Sequence, residues 1–275
     1  MAAETPGAGQ GPDREPLAEG TLVSHLLELR DRLMKALIAI AIVALPCLFF
    51  ANDLFTLVAQ PLMAALPKGA TMISTSVIAP FMTPFKLALY VAIILAMPYV
   101  LYQVWAFVAP GLYRHERRFA LPLLVSSIVL FYAGVVFAYY VVFPLMFQFF
   151  AGTTPQGVQM MTDMTQYLDF VLVLFLAFGV AFEIPVAIVL LVYTGLVNLD
   201  TMRKNRGYVL LGIFVVAALL TPPDAVSQSA MAIPMYLLYE FGMVMAGFLA
   251  KARIAEREKR AREEAEQEAS EQAGT

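Results

Sequence analysis

Residues 168–193 read LDFVLVLFLAFGVAFEIPVAIVLLVY, an apolar run interrupted near its middle by Glu183 and, two residues on, by Pro185. As an α-helix this run is long enough to cross a hydrocarbon core about 30 Å thick. Inside lipid, every backbone N–H and C=O must be satisfied within the protein, so a run of this kind predicts a membrane-spanning helix. A carboxylate at such depth is costly. The default expectation is that Glu183 faces a protein interior or polar cavity, or is protonated. Pro185 removes a backbone donor and can open or kink the helix there.

Working outward, three more runs are convincing by length: 33–50, 85–109 and 119–143. A fifth, 208–220, has 13 residues, about 20 Å of helix, and falls short of a normal core. A short fifth span predicts a thinned bilayer or a helix extended through its polar flanks. The sixth, 230–250, is long enough and carries Glu240. The whole chain agrees with this reading. Of 275 residues, 60% are apolar and 14% charged, with a mean hydropathy of +0.74, against about 45–50% and about 25% in ordinary soluble domains. Compact soluble enzymes and disordered chains are excluded, and a net charge of -3 gives no basic surface for nucleic acid.

Basic residues accumulate in cytoplasmic loops. Sixteen of the 18 Lys and Arg fall in the start of the chain through Lys35, the 110–118 loop, the 195–207 loop and the tail after residue 250; Lys68 and Lys86 remain for the opposite side. Six spans with both termini cytoplasmic satisfy this asymmetry. The expected organisation is a disordered cytoplasmic start (1–20), a membrane domain (21–250) and a charged cytoplasmic tail (251–275), with no cleaved leader and no internal repeat. The 51–84 segment, with Pro61, Pro67, Pro80 and Pro84, reads as a structured cap on the outer side.

Both histidines, His25 and His115, fall on the cytoplasmic side, and neither nucleophile motifs nor metal-binding spacings occur. Cys47, the single cysteine, reads as a small buried thiol. No cofactor and no metal are expected.

The remaining polar residues invite explanation. Leu22, Leu26, Leu29 and Leu33 share one helical face leading into the first span. Glu28 lies opposite, with Arg32 at i+4. It reads either as half of an ordinary ion pair or as a carboxylate held at the membrane surface for a cationic ligand. Glu116, in APGLYRHERR (109–118), either tempers its neighbouring arginines or joins Glu28. Two such carboxylates can accept guanidinium groups by bidentate, charge-assisted hydrogen bonds. Trp105 and Tyr113 suit an interfacial aromatic belt. In LLTPPDAVSQ (219–228), Asp224 can cap the next helix, while Thr221 and Gln228 offer polar groups at the outer edge. Glu183 and Glu240 together leave open a proton-coupled small-solute transporter as the alternative.

The chain carries, in order, HLLELRDRL (25–33), APFMTPFK (79–86), LYQVWAFVAPGLYRHERR (101–118), FAYYVVFPL (137–145), FGVAFEIPV (178–186) and LLTPPD (219–224). This ordered set resembles the TatC family, the multispanning component of the twin-arginine (Sec-independent) protein translocase of bacterial inner membranes. The resemblance implies an all-α, glove-shaped concave bundle of six helices with short helices five and six. It would receive folded precursors bearing a twin-arginine signal peptide, driven by the proton-motive force. Glu28 and Glu116 would bind the two arginines, with Arg30, Phe107 and Leu112 shaping the same patch. Glu183 and Glu240 would line the concave face, Thr221 and Gln228 would meet the single-span TatB or TatA partner, and Pro61 and Asp224 would be structural.

Overall fold

The structure is a computed structural model that describes residues 17–65, 72–108, 120–153, 161–221 and 224–273. Leu112, Tyr113, Glu116, Pro67, Lys68, Pro222 and Pro223, all used in the sequence reading, lie outside the described residues. Ten α-helices carry the described fold: α1 (Leu17–Phe49), α2 (Ala51–Ala65), α3 (Ala79–Val108), α4 (Ala120–Phe137), α5 (Phe143–Thr153), α6 (Met164–Ala181), α7 (Ile184–Tyr193), α8 (Leu199–Lys204), α9 (Arg206–Leu220) and α10 (Ala225–Ala273). The one β pairing among the described residues is an isolated bridge between Ile73 and Asp163.

Among the described residues, five stretches are helical, long and apolar enough to cross a membrane: Ser24–Phe49, Ala79–Val108, Leu121–Thr153, Met164–Tyr193 and Ala225–Lys251. The expected fifth span is α9, an apolar helix of 15 residues, about 22 Å at 1.5 Å per residue. Its shortness matches the sequence reading. The sixth helix is not short. Its apolar part runs 27 residues, and because the tail after it is rich in the helix formers Ala, Glu, Lys and Arg, α10 continues unbroken to Ala273.

Other boundaries also extend beyond expectation. Leu17–Gly20, expected to be disordered, already belong to α1, which runs without a break from the amphipathic leucines into the first span. The second span begins at Ala79, because Pro80 stands in the first turn, where its missing N–H has no helical partner to lose. The third continues ten residues past 143 through a π-helical turn, Ala138–Val142, which precedes Pro144. Such a widened turn accommodates a proline that would otherwise clash with the carbonyl four residues back. Pro61 falls within α2.

Helix α6 stands at the centre. Its Leu168, Leu172, Leu174 and Phe178 are fully buried against Leu87 of α3, Phe143 and Met146 of α5, Ala217 of α9 and Met231 of α10. Ile188 and Val189 of α7 pack on Tyr239, Met243 and Ala246 of α10, while Ala44 and Cys47 of α1 pack on Ala88 and Ala92 of α3. Helices in lipid gain little from hiding apolar surface, so close approach of small residues carries the packing. At Gly134 of α4, a Cβ would sit 2.4 Å from the Phe178 carbonyl oxygen; at Gly242 of α10, one would sit 2.8 Å from Pro185 Cα. By contrast Leu37, Ile38, Ile42 and Leu45 point outward from α1, as lipid-facing side chains do.

The cap over the bundle is built from α2 and residues 72–78. Tyr167 and Tyr139 donate their hydroxyl hydrogens to the carbonyls of Val58 (2.8 Å) and Leu57 (3.0 Å), fixing α2 on the bundle. Asp163 N-caps α6, accepting from the Thr165 and Gln166 amides, and its other oxygen accepts from the Thr75 amide (3.0 Å) and hydroxyl (2.7 Å). These four donors hold its carboxyl down to about 2, the Thr75 hydroxyl contributing most. Lys86 of α3 pairs with Asp169 of α6.

Candidate recognition surface and intramembrane polar sites

Helix α1 brings Glu28 and Arg30 to the same end of the molecule as the last turn of α3. The joint is aromatic: the His25 ring stacks on Phe107 with centroids 4.2 Å apart and planes 23° from parallel. Phe107 is one residue from the end of α3, so the chain enters the 109–119 segment, with Leu112 and Glu116, directly from this contact. One turn further along α1, Arg32 donates to Glu28 Oε1 from Nε (2.9 Å) and Nη2 (2.5 Å). Arg30 points elsewhere and pairs with Asp31 at 3.0 Å. Pairs of this i,i+4 kind contribute only about 0.3–0.5 kcal/mol at a helix surface. Glu28 Oε2 is not engaged by Arg32.

Glu183 occupies the two-residue turn between α6 and α7, so the fourth span is broken where Pro185 predicts. The Glu183 amide donates to the Val180 carbonyl and its carbonyl accepts from Ala187, leaving the backbone satisfied on both sides of the break. The Glu183 carboxylate oxygen Oε1 is buried without a partner among the described residues. Trp105, expected in an interfacial belt, is instead buried, and its indole donates to Ser127 Oγ at 3.1 Å. Sequence reasoning passed over Ser127. The pair Ser126 and Ser127 within an otherwise apolar run was the available signal.

Glu240 has a different setting. Its Oε2 accepts from Arg206 Nη2 and its Oε1 from the Tyr236 hydroxyl, both at 2.8 Å. Both oxygens are engaged at the junction of α9 and α10, so the Glu183–Glu240 relay of the transporter alternative has no second open carboxylate. At the far end of α9, buried Thr221 donates back to the Ala217 carbonyl, and Gln228 reaches from α10 to the Phe214 carbonyl (2.9 Å). Asp224 caps α10 through the Val226 and Ser227 amides. No group of three or more potential metal ligands occurs among the described residues.

Residues 24–234 match the model of the family described as Sec-independent protein translocase protein (TatC). The chain belongs to the TatC family. It is 56% identical over 227 residues to the Sec-independent protein translocase protein TatC of Escherichia coli K12, covering 82% of this chain and 88% of that one. Against the TatC of Azotobacter chroococcum mcd 1 it is 56% identical over 237 residues, 86% and 91% of the two chains. A crystal structure of the twin arginine translocase receptor TatC superimposes with a TM-score of 0.75 at 37% identity, over 82% of this chain and 98% of that chain. As a TatC-family chain it is a multi-pass inner-membrane component of the Sec-independent translocase, a transport subunit and not an enzyme. This membership takes the place of the small-solute alternative.

Proposed function

We propose that this chain is the receptor subunit for twin-arginine signal peptides, with both termini cytoplasmic and six membrane crossings, the short α9 providing the fifth. The observation that carries the reading is the His25–Phe107 stack. It joins the turn of α1 bearing Glu28 and Arg30 to the point where α3 hands the chain to Leu112 and Glu116. In this reading Glu28 and Glu116 each accept one signal-peptide guanidinium. Arg30, Phe107 and Leu112 shape the patch around them. The positive-inside distribution of Lys and Arg puts this end in the cytoplasm, where precursors arrive.

The apolar part of the signal then lies against the bundle, near Glu183 at the α6–α7 break. The α9–α10 edge with Thr221 and Gln228 takes the membrane helix of a TatB or TatA subunit. Transport is driven by the proton-motive force, and the chain itself supplies binding and orientation.

The test is co-purification of the full chain with a twin-arginine precursor and with its Lys-Lys variant. Lysine cannot reproduce the planar fork of arginine at a carboxylate, so the Lys-Lys precursor should be lost. Each of Glu28→Ala and Glu116→Ala removes charge-assisted hydrogen bonds of about 1.5–3 kcal/mol, about 10- to 150-fold in affinity. Capture of the precursor by the double variant at parental strength would reject the clamp.

A further inference from the structure

Helix α10 leaves the bundle without a break. Its apolar stretch ends at Lys251 and the helix continues to Ala273, and along that continuation the charges are sorted by height. Residues 251–262 hold six Lys and Arg against two Glu, whereas residues 263–273 hold five Glu and no Lys or Arg. Helix propensity explains why the segment is helical. It does not call for the two signs to be separated, since i,i+4 pairing favours mixing them. A second basic element stands beside this exit. Leu199 and Met202 of α8 pack with Tyr239, Met243 and Ala246 of α10, and the Tyr239 hydroxyl donates to the Met202 carbonyl at 3.0 Å. These contacts seat α8 on the stretch of α10 that leads out to Lys251. At the end of α8, Arg203 and Lys204 are exposed, as Lys251 is. Arg203 pairs with Asp200 at 3.7 Å, and Lys204 has no ion pair among the described residues.

We infer that the first turns of α10 beyond Lys251, with the end of α8, form a binding site for the phosphate headgroups of anionic phospholipids. From Lys251 to Arg257 the helix rises about 9 Å, comparable to a Debye length of about 8 Å in physiological salt. These charges therefore stay within reach of the leaflet surface at which the apolar stretch ends, where an anionic leaflet attracts Lys and Arg. At 100° per residue, Lys251, Arg253, Arg257 and Lys259 are distributed around the helix axis and do not share one face. A ring of this kind suits a lipid surface that surrounds the helix; an acidic peptide would meet one side of it. The 263–273 segment begins about 18 Å beyond Lys251 and carries the sign of the leaflet itself. Attraction at the basic half and repulsion at the acidic half fix the depth of α10 and keep its end off the membrane. The lipid chemistry is independent of topology, whereas its assignment to the inner leaflet rests on the cytoplasmic termini proposed above.

The test uses the full chain in nanodiscs of phosphatidylcholine, with and without phosphatidylglycerol. Hydrogen exchange of the 251–258 amides should slow about 5-fold or more when phosphatidylglycerol is present, while exchange over 263–273 should not slow. High salt should remove the difference. A four-site variant, Lys204→Gln, Lys251→Gln, Arg253→Gln and Arg257→Gln, keeps good helix formers and should lose the effect. Arg260→Gln with Arg262→Gln, farther from the surface, should keep most of it. Parental exchange in α6 shows that each variant is folded. Equal exchange in the two lipids, equal slowing along the whole tail, or an undiminished effect in the four-site variant would overturn the site. Inorganic phosphate added to phosphatidylcholine nanodiscs should have no effect; slowing equal to that with phosphatidylglycerol would overturn the lipid assignment in favour of a free-phosphate site. Trypsin added to membrane vesicles tests the leaflet separately, and should release the tail from inside-out vesicles only. Release from right-side-out vesicles alone would overturn the inner-leaflet assignment together with the proposed topology, whatever the nanodiscs show.

Discussion

At the residue scale, polar groups in this chain are held by hydrogen bonds that their sequence neighbours do not announce. Asp163 is the clearest case outside the membrane spans. Its carboxyl is held at about 2, below its ordinary 3.8, so the fold favours the ionised form. The stabilisation is complete above the ordinary value and is lost as pH falls through about 2. Asp163→Asn should therefore lower the Tm of the solubilised protein at pH 7, and the gap to the parent should close as pH is lowered from 4 to 2. A gap independent of pH over that interval would show that the charge is not what caps α6. That Asp163 can cap a helix was legible from its place before an apolar run. That it also binds Thr75 was not, because the two are 88 positions apart in sequence.

At the scale of elements, close helix crossings dominate. Gly134 and Gly242 stand where backbones touch: an added Cβ would meet the Phe178 carbonyl and the Pro185 backbone, neither of which can swing aside. Gly134→Ala and Gly242→Ala should each destabilise the solubilised chain by about 1–3 kcal/mol, as overpacking does. Gly212→Ala is the control. Nothing lies within 4 Å of a Cβ there, so it should be neutral or stabilise by up to about 1 kcal/mol through helix propensity. Equal thermal shifts for the three variants would contradict the crossing geometry. The α9–α10 edge makes a second case. Gln228→Leu removes the donor to the Phe214 carbonyl at a cost of about 0.5–1.5 kcal/mol, and hydrogen exchange of α9 amides should accelerate while that of α6 stays unchanged. The apolar runs foretold that these helices exist. Which glycine meets which carbonyl depends on how the helices cross, and spacing along one helix carries no record of that.

At the scale of the whole molecule, the spans do not match one another in length. Helix α9 reaches about 22 Å while its neighbours in the bundle run 26 to 33 residues. Bilayer mismatch costs fractions of a kcal/mol per Å, so the chain should sit more stably in thinner bilayers. Reconstituted in a series of phosphatidylcholines of increasing acyl length, its Tm should peak at a shorter chain length than that of a variant with four apolar residues inserted into α9. Coincident optima would show that α9 does not set the preferred thickness. The expectation that the sixth helix is also short failed because Ala225–Lys251 is followed by a run of helix formers with nothing to stop it.

Composition, the apolar runs and the placement of Lys and Arg were enough to establish an all-helical membrane chain, a short fifth helix and a broken fourth one, because lipid permits few ways to satisfy a backbone and each leaves a local mark. The ordered motifs were enough for the family. Tertiary structure alone decided that Trp105 is buried and donates to Ser127, and that Glu240 is held by Arg206 and Tyr236. A hydrogen bond in a low-dielectric interior is specified by where two helices cross, and side chains far apart in sequence meet there only after the bundle has formed.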